Sequence, residues 1–155
     1  MNQLLEYRAK LIDQLEATTA EFYAACEAVG DPFKSVEEGG WNTHQLAAHV
    51  RDVDKVVYGL RARRTIDEDN PQLQNFDTDE WIADYYDADE PLASILDELS
   101  ASIKEAASTL RGLPREAWSR ESCHEIYGSG FTLQTWVERG LAHIKEHLET
   151  VKKAE

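Results

Sequence analysis

His143-Ile144-Lys145-Glu146-His147 sets two imidazoles four residues apart inside a long 3.6-residue pattern. At that spacing the rings lie one above the other on one helix face, about 6 Å apart along the axis. Two ligands of one small metal ion suit that arrangement. A third imidazole, His49, borders the apolar stripe of an earlier helical segment. If the two helices pack together, three neutral imidazoles meet in the interior and leave coordination positions open, as in catalytic rather than structural sites. A plainer reading fits the same residues. An i, i+4 His pair also decorates solvated helix faces, and a lone His at a core border is often simply hydrogen-bonded. Cys123-His124 pairs a thiol with a base, but adjacent residues point apart, and the pair reads as an exposed loop feature. No Ser-His-Asp order or GxSxG elbow offers a metal-free alternative.

The elements that must position these residues are helices. Leu4, Leu5, Leu11, Ile12, Leu15, Phe22 and Cys26 recur at three- and four-residue steps, predicting a helix over about 2–29 that Gly30-Asp31-Pro32 closes. Asn42 followed by Gln45 is a capping-box variant, with Trp41 placed as a staple. The second helix carries Leu46, Val50, Val53, Val57 and Leu60 on one stripe, and His49, Val53, Val56 and Leu60 on the adjoining row. Residues 65–80 read as a polar loop, whose Asp77-Thr78-Asp79-Glu80 run caps a short helix with Trp81, Ile82, Tyr85 and Tyr86. A third long helix starts near Glu90-Pro91 and stops at Gly112-Leu113-Pro114; residues 115–130 lack sustained periodicity. Thr132 opens the last helix. Leu133, Val137, Leu141, Ile144, Leu148 and Val151 form its stripe, and Trp136, Gly140, His143 and His147 the next row. Gly140 either clears space beside an ion or ligand, or lets two helices approach. No strand-like alternation is long enough for a sheet. The sequence therefore predicts an all-α, four-helix bundle with one long crossover, a single domain over 1–155, in whose interior facing side chains build cofactor sites.

Charge narrows the partners. Thirty acids against sixteen bases give a net charge of -14, which repels phosphate backbones and argues against a nucleic-acid partner. No apolar run approaches a membrane span, and the N-terminus lacks a signal-peptide layout, so no membrane partner and a cytoplasmic location are expected. Cys26 and Cys123 are the only cysteines, lack metal-type spacing, and read as free thiols. Asp52, one turn beyond His49, is placed either to bond the ring's free N–H or to pair with Arg51 or Lys55. Arg61, Arg63 and Arg64 either receive an anionic substrate or cofactor carboxylate, or neutralise an acidic surface. Trp81, Tyr85 and Tyr86 either wall a small-molecule pocket or belong to the core. Glu146 points away from the His143/His147 row.

Several stretches together resemble the DinB-like (DinB/YfiT-like) superfamily of four-helix metalloproteins. They are Trp41-Asn42-Thr43-His44-Gln45-Leu46-Ala47-Ala48-His49 running on to Asp52 and Asp54, Asp77-Thr78-Asp79-Glu80-Trp81, Gly112-Leu113-Pro114-Arg115-Glu116-Ala117-Trp118, Gly130-Phe131-Thr132-Leu133, and the final His-x3-His. The resemblance implies an up-down-down-up bundle with the long connection between helices two and three. It implies a divalent metal (nickel, zinc, iron or manganese) on His49, His143 and His147, and a homodimer, which the many aromatic residues needing cover also suggest. Relatives include S-transferases that use the low-molecular-weight thiol bacillithiol, a mycothiol-dependent maleylpyruvate isomerase and metal-dependent hydrolases. The sequence ends soon after the last helix, so the extra C-terminal domain of some isomerase relatives is not expected. Three neutral imidazoles leave an ion its full charge, which acidifies a coordinated thiol or water for attack on an electrophile. Thiol S-transfer is the leading expectation. Hydrolysis, or a non-catalytic stress-associated metal- or ligand-binding role, is the alternative.

Overall fold

The computed structural model describes residues 2–154. Its frame is four helical rods. The first is α1 (Asn2–Ala28). The second is composite: α2 (Thr43–Val53) continues through a π turn (Asp54–Tyr58) into α3 (Gly59–Asp67). After the short α4 (Thr78–Tyr85) in the crossover come α5 (Leu92–Arg111) and α6 (Leu133–Lys152).

Polar contacts between rods fix their directions. Arg8 bonds Gln134, Lys145 bonds Gln14 and Lys152 pairs with Glu21, so α1 and α6 run parallel. Tyr23 bonds Asp97 while Arg111 reaches back to Asp13, so α5 opposes α1. Arg51 meets Glu98 and Ser102 bonds Asp54, so the composite rod runs with α5. This is the up-down-down-up bundle, with the long connection between rods two and three. Ile12, Leu15 and Phe22, then Leu46 and Val50, Leu96 and Ile103, and Leu141, Ile144 and Leu148 bring the four stripes into one core. Burying each such side chain stabilises the bundle by roughly 1.5–3 kcal/mol.

Start signals are realised at atomic detail. The Asn42 side chain accepts from the Gln45 N–H at 2.7 Å, and the Gln45 side chain accepts from the Asn42 N–H at 2.9 Å. Asp77 caps α4 through the N–H groups of Asp79 and Glu80. Thr132 caps α6 through Thr135. Among the described residues, no helix is long and apolar enough to cross a membrane. Cys26 and Cys123 are free thiols.

Two expectations fail. The second helix does not stop before residue 65 but runs to Asp67, and it is not regular. The Gly59 N–H bonds Asp54 O, five residues back, so the π turn holds one residue more than an α turn. Gly59 permits this: a Cβ there would lie 2.4 Å from Asp54 O. The surplus residue shifts everything downstream by about 100°. Leu60, expected inward, is 37% exposed, and Arg61 is half-buried in its place.

The second failure is the absence of a sheet. β1 (Gln72–Leu73), β2 (Glu121–His124) and β3 (Gly128–Thr132) form one. β1 pairs parallel with β2, and β2 antiparallel with β3. Strands of two to five residues are too short to show a period of two. The sheet is pinned to α6 by the Trp136 indole N–H, which donates to Ser122 Oγ at 2.7 Å. It is pinned to α3 by Arg120, which donates to the carbonyls of Thr65 and Glu68.

Candidate metal centre

His49 comes from α2, and His143 and His147 come one turn apart from α6. The Nε2 atoms of His49 and His143 lie 3.0 Å apart, and those of His143 and His147 lie 3.1 Å apart. One nitrogen from each of the three falls within 4.8 Å of the others. Burial first, then the neighbouring His147, pushes His49 down to about 4. Burial, then His147 and His49, pushes His143 down to about 3, and burial lowers His147 too. All three are therefore neutral at pH 7, the form in which imidazole ligates metal.

The donor set fits a divalent ion for a reason internal to the cluster. A neutral Nε2 carries either one N–H or one lone pair. His143 Nε2 has two imidazole neighbours and can satisfy only one of them. The other contact is left without a linear hydrogen bond, and a cation at their centre, which takes a lone pair from each ring, removes that shortfall. Ligand nitrogens at about 2.0–2.1 Å from a tetrahedral ion stand about 3.4 Å apart, close to the spacings seen. His147 Nδ1 is buried without a hydrogen-bond partner among the described residues.

Aromatic rings wall the cluster. Trp41 meets the His49 ring edge-on at 4.9 Å, and Tyr58 meets His143 at 5.6 Å. Tyr58 was not singled out from sequence. In a regular helix it would point about 180° from His49, and the π turn brings it to about 80°. Gly140 serves helix approach: a Cβ there would stand 3.3 Å from Tyr58 Cβ. A cavity of about 40 Å³ follows, lined by Tyr58, Gly140, Trp136, His143 and Asp54 among apolar neighbours. It is large enough for water and too small for a substrate. Burial raises the Asp54 carboxyl pKa against the hydrogen bond from Ser102 and the charge of Arg63.

The sequence model of the DinB superfamily matches residues 3–151. The chain belongs to the DinB superfamily. A protein of Oceanobacillus iheyensis described as a candidate metal-dependent hydrolase is 33% identical over 95 residues, which are 61% of this chain and 54% of that protein. The chain thus matches about half the length of that curated relative. The solved structure of YfiT from Bacillus subtilis, described as a candidate metal-dependent hydrolase with an unusual four-helix bundle topology, superposes with a TM-score of 0.86. It shares 22% identity and covers 96% of this chain and 86% of its own. That likeness establishes the fold.

The remaining expected site residues of this DinB-superfamily chain divide. Asp52 does not bond His49; its carboxylate accepts from Arg51 at 2.8 Å and from the Trp81 indole at 3.2 Å, tying α4 to α2. Trp81 stacks on Tyr85, which is 64% exposed, and neither lines the cavity beside His143. Arg64 is engaged by Glu68 one turn on, at 2.7 and 3.0 Å. Arg61 turns toward the sheet, its guanidinium 4.8 Å above the Trp136 ring. Glu146 is exposed, as expected. His44 is buried and saturated: Nε2 donates to Glu90 O at 2.7 Å, so Nδ1 accepts from the Tyr86 hydroxyl at 2.6 Å. His124, expected in an exposed loop, is 3% exposed on β2. The α6 spacing could have flagged Arg139, one turn before His143, whereas nothing local in sequence marks His124 as buried.

Proposed function

We propose that this chain is a metal-dependent enzyme whose divalent ion is held by His49, His143 and His147. The observation that carries this is the meeting of three neutral Nε2 atoms from two rods, with neighbouring separations of 3.0 and 3.1 Å. When bound, such an ion supplies a charge that acidifies water or a thiol and polarises a carbonyl. The chain's own contribution is geometric and dielectric. Two rods fix the imidazoles, Trp41 and Tyr58 pack against two of them, and among the described residues no carboxylate joins the cluster to dilute the charge.

Hydrolysis is the reading that the descriptions of the Oceanobacillus protein and YfiT support, with an ester or amide as the substrate proposed here. Transfer of a low-molecular-weight thiol to an electrophile is the finer reading that the family resemblance adds. Elemental analysis of purified wild type and His143→Ala tests the site. Turnover of an ester panel, and of an electrophile with a thiol panel, then tests the chemistry. Metal in the wild type, its loss in the variant and a rate that follows metal content are expected. A wild type that takes up no nickel, zinc, iron or manganese overturns the proposal. Ligand-induced stabilisation without product would assign a binding role instead.

A further inference from the structure

A second cluster of polar donors lies one helical turn from the three histidines and is used by none of the chemistry above. His124 Nδ1 sits 3.1 Å from the Ile126 N–H and 3.2 Å from the Tyr127 N–H. Backbone N–H groups only donate, so Nδ1 accepts and the ring proton resides on Nε2. That Nε2–H faces Arg61 Nη2 at 3.4 Å. Both groups are donors, and neither can satisfy the other. Arg61 otherwise gives one bond to Gln74 O and has no carboxylate partner among the described residues. Arg139 makes no hydrogen bond or salt bridge among them, although the chain carries thirty acids. Both guanidiniums approach the Trp136 ring, Arg61 at 4.8 Å and Arg139 at 5.8 Å. Burial lowers the Arg61 pKa, and the charge of Arg139 lowers it further. Glu125 faces His124 but is engaged by the Asn75 N–H at 2.9 Å.

Stacking on Trp136 explains where each arginine lies, but a cation over an aromatic face keeps its N–H edge free. Two cations that share the Trp136 ring and an imidazole N–H beside one of them, none hydrogen-bonded to a carboxylate among the described residues, are complementary to an oxyanion. The geometry assigns to this chain a second binding site, formed by Arg61, Arg139 and His124, for a small oxyanion: a carboxylate or a phosphate. Its place supplies the purpose. Arg139 precedes His143 by four residues on α6, about 6 Å along the axis, and Arg61 follows Tyr58, which packs on His143, by three. If the proposed metal chemistry holds, on which this last step rests, the site selects substrates with an anionic group about one helical turn from the reacting carbon.

Binding is tested first on chelator-treated, metal-free protein, so that phosphate cannot coordinate an ion. Inorganic phosphate and benzoate are titrated separately, with Trp136 fluorescence and the His124 ring resonances as readouts. Millimolar binding is expected for at least one, and the stronger of the two names the oxyanion. Arg139→Gln, at an exposed position with no polar contact to lose, should weaken binding at least tenfold. Arg61→Lys keeps charge but loses the planar fork and should weaken it severalfold, while Arg64→Gln should not change it. Absence of binding by both anions, or equal binding by wild type and Arg139→Gln, overturns the site. Metal-loaded protein then turns over an anionic ester and its neutral isostere. Arg139→Gln should lower kcat/KM for the first at least tenfold more than for the second; equal effects on both overturn the substrate assignment. Oxyanion binding in a wild type that holds no metal would sink the metal chemistry alone, and metal-dependent turnover without oxyanion binding would sink the second site alone.

Discussion

The three-histidine cluster and the Arg61–Arg139–His124 cluster are neighbours built by opposite means. The first is neutral, buried at His49 and half-buried at His143 and His147, and assembled from regular helical turns of two rods. The second is cationic and partly open, and draws on a strand of four residues, a rod displaced by a π turn, and α6. In the first, desolvation strips charge from ionisable rings and leaves lone pairs for a cation. In the second, arginine keeps its charge in spite of burial, because a guanidinium stays protonated where an imidazole does not. The same loss of water thus prepares one cluster for a cation and the other for an anion.

The sharpest way to break this comparison is to remove the shared nitrogen. His143→Ala should lower zinc or nickel affinity beyond the roughly 10–100-fold typical of losing an outer partner, while His124→Ala and His44→Ala should leave it unchanged in titration calorimetry. Equal affinity in all three variants would refute the division. Acid should separate the clusters next. His49 and His143 are depressed to about 4 and about 3, against about 6.5 unfolded, so between these values the unfolded chain binds protons that the folded one does not. Their contribution to stability is complete above about pH 6.5 and is lost as pH falls toward about 3–4. Thermal melts of the metal-free protein should show that fall, with a shallower slope for His143→Ala. Metal binding to the folded protein should weaken at a pH below 6.5 rather than near it, because burial has moved the competing protonation down.

Backbone effects come below these. Gly59→Ala sets a Cβ against Asp54 O and should destabilise the chain by roughly 1–3 kcal/mol in urea unfolding, with weakened benzoate or phosphate binding as Arg61 is displaced. Asp52→Ala removes acceptors from Arg51 and Trp81 and should cost about 1 kcal/mol. It should leave metal affinity unchanged; a tenfold loss would restore Asp52 as a partner of His49. Gly140→Ala should be the mildest. The close Tyr58 contact offsets a helix-propensity gain of up to about 1 kcal/mol, and the net change should be near zero.

What could be read in sequence follows the same division. The His143/His147 spacing, the Asn42–Gln45 box and the four stripes are local regularities, and they specified rods, caps and the cluster's three members. The sheet was hidden because strands of two to five residues carry too few side chains to show a period. His124 was hidden because its burial depends on β2 pairing with β1, which lies far from it in sequence. Leu60 and Arg61 were exchanged because a 3.6-residue repeat was extended through a segment that does not keep it. Gly59 marks that segment, but a glycine within a helical pattern has many other causes.

Counted as length, the composite rod is one residue longer than an α-helix needs to bring Arg61 to within about 20° of the face that carries His49. The surplus is taken up wholly within residues 54–58. Tolerance to change there is therefore the reverse of what a helix ordinarily shows. A chain shortened by one residue in that segment keeps both ends in phase and forfeits only the bulge, with its placement of Asp54 and Tyr58. A chain of the same length that is straightened turns Leu60 toward the sheet and Arg61 toward solvent, leaving His49 where it was. Straightening the segment without a deletion therefore parts the two clusters, keeping the imidazoles while discarding the arginine.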